Sequence, residues 1–367
     1  MKRKSFIAAV RPDRAICLAG LFLLLAMART VSAHGDPNPA AANPCSAWQF
    51  TPDIVLVTLL VAVLYGVGLW RSRNKQQATR RWHGVSFYAG LAAMFLALQS
   101  PIDTFSEHVF ALHQVQHLLL HSLGPMLLML AAPQGLLIAG IPEWLRRYVL
   151  APVISSRAVR ATFGFVSRPA VATLLFVGTL YFWQIPRYHD LAVLNDAVHY
   201  SMHVTMLAAG LVFFWRVFDP RPAPLGTRYL VRATMLWVTI CTNILIGAFL
   251  TFKTEALYPA YDALGRLWVQ NALQDELLGG LTIWIPSTMM CVVALLIVIR
   301  MWGGHETKRE SWRQRGIMAA VGSFEPPGNP GRQAQSRNRA LAIRLVVISL
   351  TVFAAIIGIA MLVTASR

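Results

Sequence analysis

Along the chain, long apolar runs alternate with short polar stretches rich in arginine. The runs cover residues 54–70, 85–99, 115–140, 171–185, 200–218, 230–252, 278–299 and 341–363. Crossing a hydrocarbon layer of roughly 30 Å takes about 20 apolar residues on a helix, and these runs with their flanks approach or exceed that length. The pattern predicts an all-α integral membrane protein. Its body is a polytopic bundle of about seven transmembrane helices over residues 54–302, and an extra C-terminal transmembrane helix covers residues 341–367.

What lies outside the spans divides the rest. Residues 1–33 place Lys2, Arg3, Lys4, Arg11 and Arg14 ahead of a short apolar stretch that ends in Val31, Ser32 and Ala33, the pattern of a signal peptide cut after Ala33. An uncleaved signal anchor is the alternative, and the shortness of the apolar stretch argues against it. Residues 34–53, containing HGDPNPAAANPCSAW, read as a flexible outer tail. Residues 303–340, with FEPPGNPGRQAQSRNR, read as a basic, flexible linker to the last helix.

Composition agrees with the pattern: 56% of residues are hydrophobic and 13% charged, a balance far from that of a soluble domain. The net charge of +17 has a topological origin. If the first span starts outside, Arg71, Arg73, Lys75, Arg80, Arg81, Arg146, Arg147, Arg157, Arg160, Arg168, Arg216, Arg221, Arg228 and Arg232 all fall on the cytoplasmic side, as does the basic run after Arg300. Only Arg187, Lys253, Arg266 and Arg367 fall outside in the mature chain. Anionic lipid headgroups can balance such loops. A nucleic-acid surface would gather its cations on one stripe, and here they are dispersed among short loops, so no nucleic-acid partner is expected. Of the four cysteines, Cys17 leaves with the signal peptide, Cys45 is in the tail, and Cys241 and Cys291 lie within spans with no CxxC spacing. That supports neither a disulfide framework nor a thiolate metal motif.

Ionisable side chains inside spans are costly among lipid tails and must face the bundle interior or an aqueous cavity. The stretch HQVQHLLLHSLGPMLLML at residues 113–130 carries three of them. Residues four apart on a helix are offset by about 40° and rise about 6 Å, so His113, His117 and His121 are predicted to share one stripe. In HYSMHVTM, His199, His203 and Met206 share another, and at the threshold of the seventh span LQDELLGG places Asp275 beside Glu276. All three helices run inward from outside, so their polar groups reach matching depths. A single buried histidine is most simply a hydrogen bond to a neighbouring helix. Two pairs at i, i+4 favour metal ligation, because both rings of a pair reach one ion from one face. Imidazole suits zinc, copper, iron and nickel, and a thioether such as that of Met206 leans toward Cu(I).

SPID at residues 100–103, HQVQHLLL at 113–120, HYSMH at 199–203 followed by GLVFFW, LYPAYD at 257–262 and DELLGGLTIWIP at 275–286 together resemble the CtaG family of multi-span cytochrome c oxidase assembly factors. The resemblance implies a non-enzymatic protein of the bacterial plasma membrane. It would bind copper transiently at the outer face and work with cytochrome c oxidase subunits or other copper chaperones. Carried over by position, it points to His113, His117, His199, His203 and Asp275, with Asp103 as a further polar position. Three places depart from the family pattern: Met126 follows Pro125 where a second proline is usual, Glu276 stands in place of Gln, and His121 in place of an apolar residue.

The expected metal set is therefore His113, His117, His199, His203, Met206 and Asp275, with His121 as a possible addition, and copper is the expected cargo. A haem-binding membrane cytochrome, with axial histidines on two helices, is the reading from another class. A copper or ion transporter is a third. A di-iron enzyme would need further HxxHH boxes, and neither a Walker loop nor a nucleophile elbow is present.

Overall fold

A computed structural model describes residues 48, 50–72, 77–221, 226–268, 271–321 and 347, and these contain helices and no strand. The predicted signal peptide, most of the outer tail, residues 322–340 of the predicted linker and nearly all of the last helix lie outside the described residues.

In chain order, α1 is Pro52–Arg71, α2 Gln77–Gln99 and α3 Pro101–Ser106. Helix α4, Phe110–His117, runs through a π-helical turn at Leu118–Leu123 into α5, Gly124–Leu130, and α6 is Gln134–Gly140. Next come α7, Glu143–Leu145, a second π turn at Arg146–Leu150, α8, Ala151–Ser155, and α9, Arg157–Val166. Helices α10, Pro169–Trp183, and α11, Pro186–Leu194, precede the long α12, Asp196–Val217. The last three are α13, Tyr229–Phe252, α14, Ala260–Leu264, and α15, Ala272–Val321.

Starts and stops follow local chemistry. Pro52, Pro101, Pro169 and Pro186 open helices at positions where a missing N–H costs nothing. The Ser100 hydroxyl accepts from Ile102 N–H, and the Asn195 side chain accepts from Val198 N–H to cap α12. After α5 the chain passes through Ala132 at φ 45°, a left-handed conformation that ends the helix and turns α6 by 78°.

Four helices are long and apolar enough to cross a membrane: α1, α12, α13 and the Ala272–Arg315 part of α15. Three bent pairs raise the number to seven if each counts as one span: Phe110–Leu130 with α6, Glu143–Ser155 with α9, and α10 with α11. The described residues thus hold four to seven candidate spans, and their members differ from the predicted ones. Helix α2 is not among the seven, and residues 143–166, predicted as a loop, form a bent, largely exposed pair. The predicted linker also starts later than residue 303. Helix α15 continues unbroken to Val321, because GGHETKRESWRQRG is rich in good helix formers that outweigh its three glycines.

The arrangement of side chains is that of a protein in lipid. Leu56, Leu60, Leu245, Phe249 and Leu296 point outward, whereas histidines, glutamines and carboxylates fill the interior. Helices α13 and α15 pack along their length, and α15 also packs on α4 and α12 on the π turn. Around these contacts an apolar cluster of Phe110, Leu180, Trp183, Met202, Met206, Ile246, Leu250, Tyr258, Tyr261 and Ile283 encloses one end of the bundle. A second cluster around Phe176, Phe213, Phe214 and Leu236 fills the other.

Candidate metal centre

His113 and His117 lie one turn apart on α4, and their ring centroids are 4.4 Å apart. His199 and His203 repeat this spacing on α12, also at 4.4 Å. The two helices bring the pairs together, with His113 5.2 Å from His199 and His117 6.2 Å from His203 between centroids. One ligating nitrogen from each of His113, His117 and His203 falls within 4.8 Å of the others. Three nitrogens at about 2.1 Å around one ion stand roughly 3.4–3.6 Å apart in tetrahedral or trigonal geometry, so the three rings must draw closer together to close on an ion.

The donor atoms are free to do so. His113 Nε2, both nitrogens of His117 and His203 Nε2 are buried and have no hydrogen-bond partner. Leaving buried polar atoms unpaired is costly, so a cluster of them calls for an occupant. His113 and His117 are buried and His203 is half-buried as a residue, although its Nε2 is buried.

His121 does not join them. Its ring stacks on Phe176 at 3.9 Å and 13°. The predicted single stripe fails because the π turn begins at Leu118. Pro125 has no N–H for the His121 carbonyl, and its ring would strike that carbonyl in a regular α-turn. The turn widens instead, Gly124 N–H bonds Leu119 O, and the residues beyond His117 rotate off the stripe. Helix α12 meets this turn at Gly210, where a Cβ would stand 2.3 Å from His121 O.

Asp275 is not brought to the cluster either. Its Oδ2 accepts from Phe110 N–H at 2.8 Å, its Oδ1 accepts from Ala111 N–H at 2.9 Å, and Arg266 pairs with it. It caps the helix that carries His113 and His117. Glu276 turns the other way, accepting from Leu257 N–H at 2.9 Å and Tyr258 N–H at 3.1 Å and pairing with Lys253. It thereby fixes the loop leading to α14. Gly279, one turn along, lies against Phe110, whose ring would be 2.3 Å from a Cβ there. The DELLGG motif is a set of clamps on the site's frame. Asp103 receives the Gln116 amide, which also bonds Ala97 O at 3.0 Å, and Met206 is buried in the apolar cluster beside the site.

Two residues that sequence reasoning left without a role stand against His113. Tyr261 Oη is 2.7 Å from His113 Nδ1 and 2.8 Å from His189 Nε2, and all three side chains are buried. Burial, reinforced by Asp275, pushes the Tyr261 phenol well above its ordinary value, so it keeps its proton. Their signals were present as LYPAYD and PRYHDL, but neither shows helical spacing to the paired histidines. Below His117 a small cavity of about 10 Å³ is lined by Gln114, His121, Ser122, Asn243 and Ser287. That is room for about one water.

Uncharacterized proteins of Mycobacterium bovis and Mycobacterium tuberculosis are each 22% identical over 289 residues, covering 76% of this chain and 42% of theirs. One from Mycobacterium leprae is 22% identical over 273 residues, covering 71% and 40%. The chain thus spans less than half the length of these relatives. No solved structure matches it. The sequence pattern of the family described as cytochrome c oxidase caa3 assembly factor matches residues 63–304, a stretch that holds the histidine cluster, its caps and the tyrosine loop, and the chain belongs to that family.

Proposed function

We propose that the protein binds a copper ion on His113, His117 and His203 and assists its delivery to a terminal oxidase, working from the outer face of a bacterial plasma membrane. The observation that carries this reading is the convergence of three imidazoles, each with a ring nitrogen within 4.8 Å of the others and each with a buried nitrogen that has no hydrogen-bond partner. Neutral nitrogen donors favour copper over the other first-row ions at equal geometry. His199, within 5.2 Å of His113, offers a fourth imidazole, and Met206, on the same helix as His203, a soft auxiliary donor. Half-buried His203 is the ligand through which an ion would be exchanged. A donor set without a carboxylate suits an ion that must be released again to an oxidase subunit or a copper chaperone.

The packing supports an ion over a haem. Imidazoles that touch one another edge to face at 4.4 Å leave no flat slot for a macrocycle between them. Purified protein is expected to carry near-stoichiometric copper and to show no haem Soret absorption. His117→Ala combined with His203→Ala is expected to remove the metal. A metal-free variant that still restores oxidase activity in a deletion strain would overturn the copper role.

A further inference from the structure

His113 stands at the end of a hydrogen-bonded chain that has only one consistent direction, and that direction decides which of its nitrogens can hold a metal. The chain begins at a carbonyl: His189 Nδ1 is 2.9 Å from Trp183 O, which can only accept. His189 Nδ1 therefore carries a proton. His189 is fully buried among Phe110, Tyr258, Tyr261 and His113, and both its nitrogens meet neutral partners. A charge there would have no counter-ion in contact, so the ring is neutral and its Nε2 is an acceptor. Tyr261 must then donate its single proton to His189 Nε2 at 2.8 Å, which leaves the phenol oxygen to accept at its other contact, His113 Nδ1 at 2.7 Å. His113 Nδ1 consequently carries a proton, and His113 Nε2 carries a bare lone pair. That Nε2 is the buried atom without a partner.

We propose that Tyr261 and His189 are positioning residues that lock His113 in the one tautomer able to ligate copper through Nε2. The inference rests on the copper reading above. The lock spans three chain segments. His189 on α11 is anchored by the backbone where α10 ends, and Tyr261 on α14 is held in place by the loop that Glu276 fixes. His113 sits on the helix that Asp275 caps. Outer hydrogen bonds of this kind orient a ligating imidazole and raise its basicity, and their loss typically weakens metal binding about 10–100-fold. His117 has no such lock on either nitrogen, so the inference separates the roles of two rings that the sequence spacing makes equivalent.

The test uses the full chain purified in detergent and copper as the probe. Tyr261→Phe, which removes the hydroxyl and keeps the ring, is expected to lower copper affinity about 10–100-fold. His189→Phe is expected to do the same, because Tyr261 then turns its proton toward His113 and favours the tautomer protonated at Nε2. His189→Gln, which retains an acceptor for the phenol, is expected to restore part of the affinity. Tyr258→Phe is the control. It removes a comparable buried hydroxyl, bonded to Gln184 O at 2.8 Å, without touching His113, and is expected to leave affinity near wild type. Equal losses in Tyr258→Phe and Tyr261→Phe, or no loss in Tyr261→Phe, would overturn the lock. A second readout needs no copper. Nitrogen-15 spectra of the metal-free protein, with His113 assigned by comparison with His113→Gln, are expected to show the Nδ1-protonated form, and an Nε2-protonated His113 overturns the proposal. Wild-type protein that binds no copper but shows the Nδ1-protonated form would sink the copper reading and leave the lock standing.

Discussion

Both carboxylate oxygens of Asp275 accept hydrogen bonds from the opening backbone amides of the helix that carries His113, from Phe110 at 2.8 Å and Ala111 at 2.9 Å. A residue whose position along the chain suggests a ligand is thus part of the frame. It is fully buried and paired with Arg266, itself 5% exposed at the side chain.

The distinction is measurable. Asp275→Ala leaves Arg266 without its inner partner and two helix-end amides unsatisfied, and breaking a buried pair this way costs roughly 3–5 kcal/mol. Thermal unfolding in detergent is expected to show a large loss of stability, with copper binding lost in proportion as the helix end frays. A ligand role predicts the reverse, full stability with the metal gone.

His121 offers the complementary case. It stacks on Phe176 beyond the π turn, outside the three-imidazole cluster. His121→Phe keeps an aromatic face against Phe176 and is expected to retain copper affinity within a few-fold of wild type, whereas His117→Ala alone loses it. Competition with a chromophoric copper chelator reads both. Equal losses in the two variants would return His121 to the ligand set.

The contrast between His117 and His121 shows what the sequence could and could not tell. Apolar runs and arginine-rich loops are enough to indicate helices in a membrane, and the i, i+4 pairs identify His113 with His117 and His199 with His203, because both signals are local. The rotation of His121 off the stripe is local as well, but its cause is a proline four residues on, and a regular 3.6-residue period hides it. His189 and Tyr261 reach the site from other segments, over sequence separations that carry no period. Asp275 meets the start of the helix that carries His113. Its acceptors are spent on backbone amides, a use that becomes visible only when α4 and α15 are neighbours.

The approach of α12 to the π turn can be tested through a single methyl group. A Cβ at Gly210 would lie 2.3 Å from the His121 carbonyl oxygen and 2.9 Å from the Pro125 ring, and a backbone atom cannot yield as a flexible side chain would. Gly210→Ala is expected to push α12 outward, destabilising the protein by about 1–3 kcal/mol, the usual range for overpacking. Because His203 moves with α12, copper affinity is expected to fall in the same variant although no ligand has changed. Unaltered affinity would mean that α12 is positioned by other contacts.

At the opposite end of α12, Asp219 and Arg232 organise the turn into α13, and this staple has a defined pH range. Arg232 is fully buried, stacks on Tyr229 at 4.7 Å and donates to Thr227 O at 2.9 Å and Arg221 O at 3.2 Å. Asp219 accepts from Arg221 Nε and NH2, both at 2.9 Å, and from Arg221 N–H at 3.1 Å. Burial alone would raise the Asp219 carboxyl, but hydrogen bonds and charge from Arg221, with a smaller contribution from Arg232, outweigh it and hold the group below the ordinary aspartate range. A carboxylate lowered in the folded state binds fewer protons there than in the unfolded chain. Its contribution is therefore complete above the ordinary aspartate value and is lost as pH falls through the lowered folded value. Asp219→Asn is expected to cost about 1–3 kcal/mol at neutral pH, the range for removing one partner of a buried hydrogen-bonded group. The gap between variant and wild type is expected to stay constant from pH 8 to pH 5 and to narrow only in stronger acid, as thermal unfolding across that range would show. A gap that closes near pH 6 would show that the effect does not come from the Asp219 carboxylate.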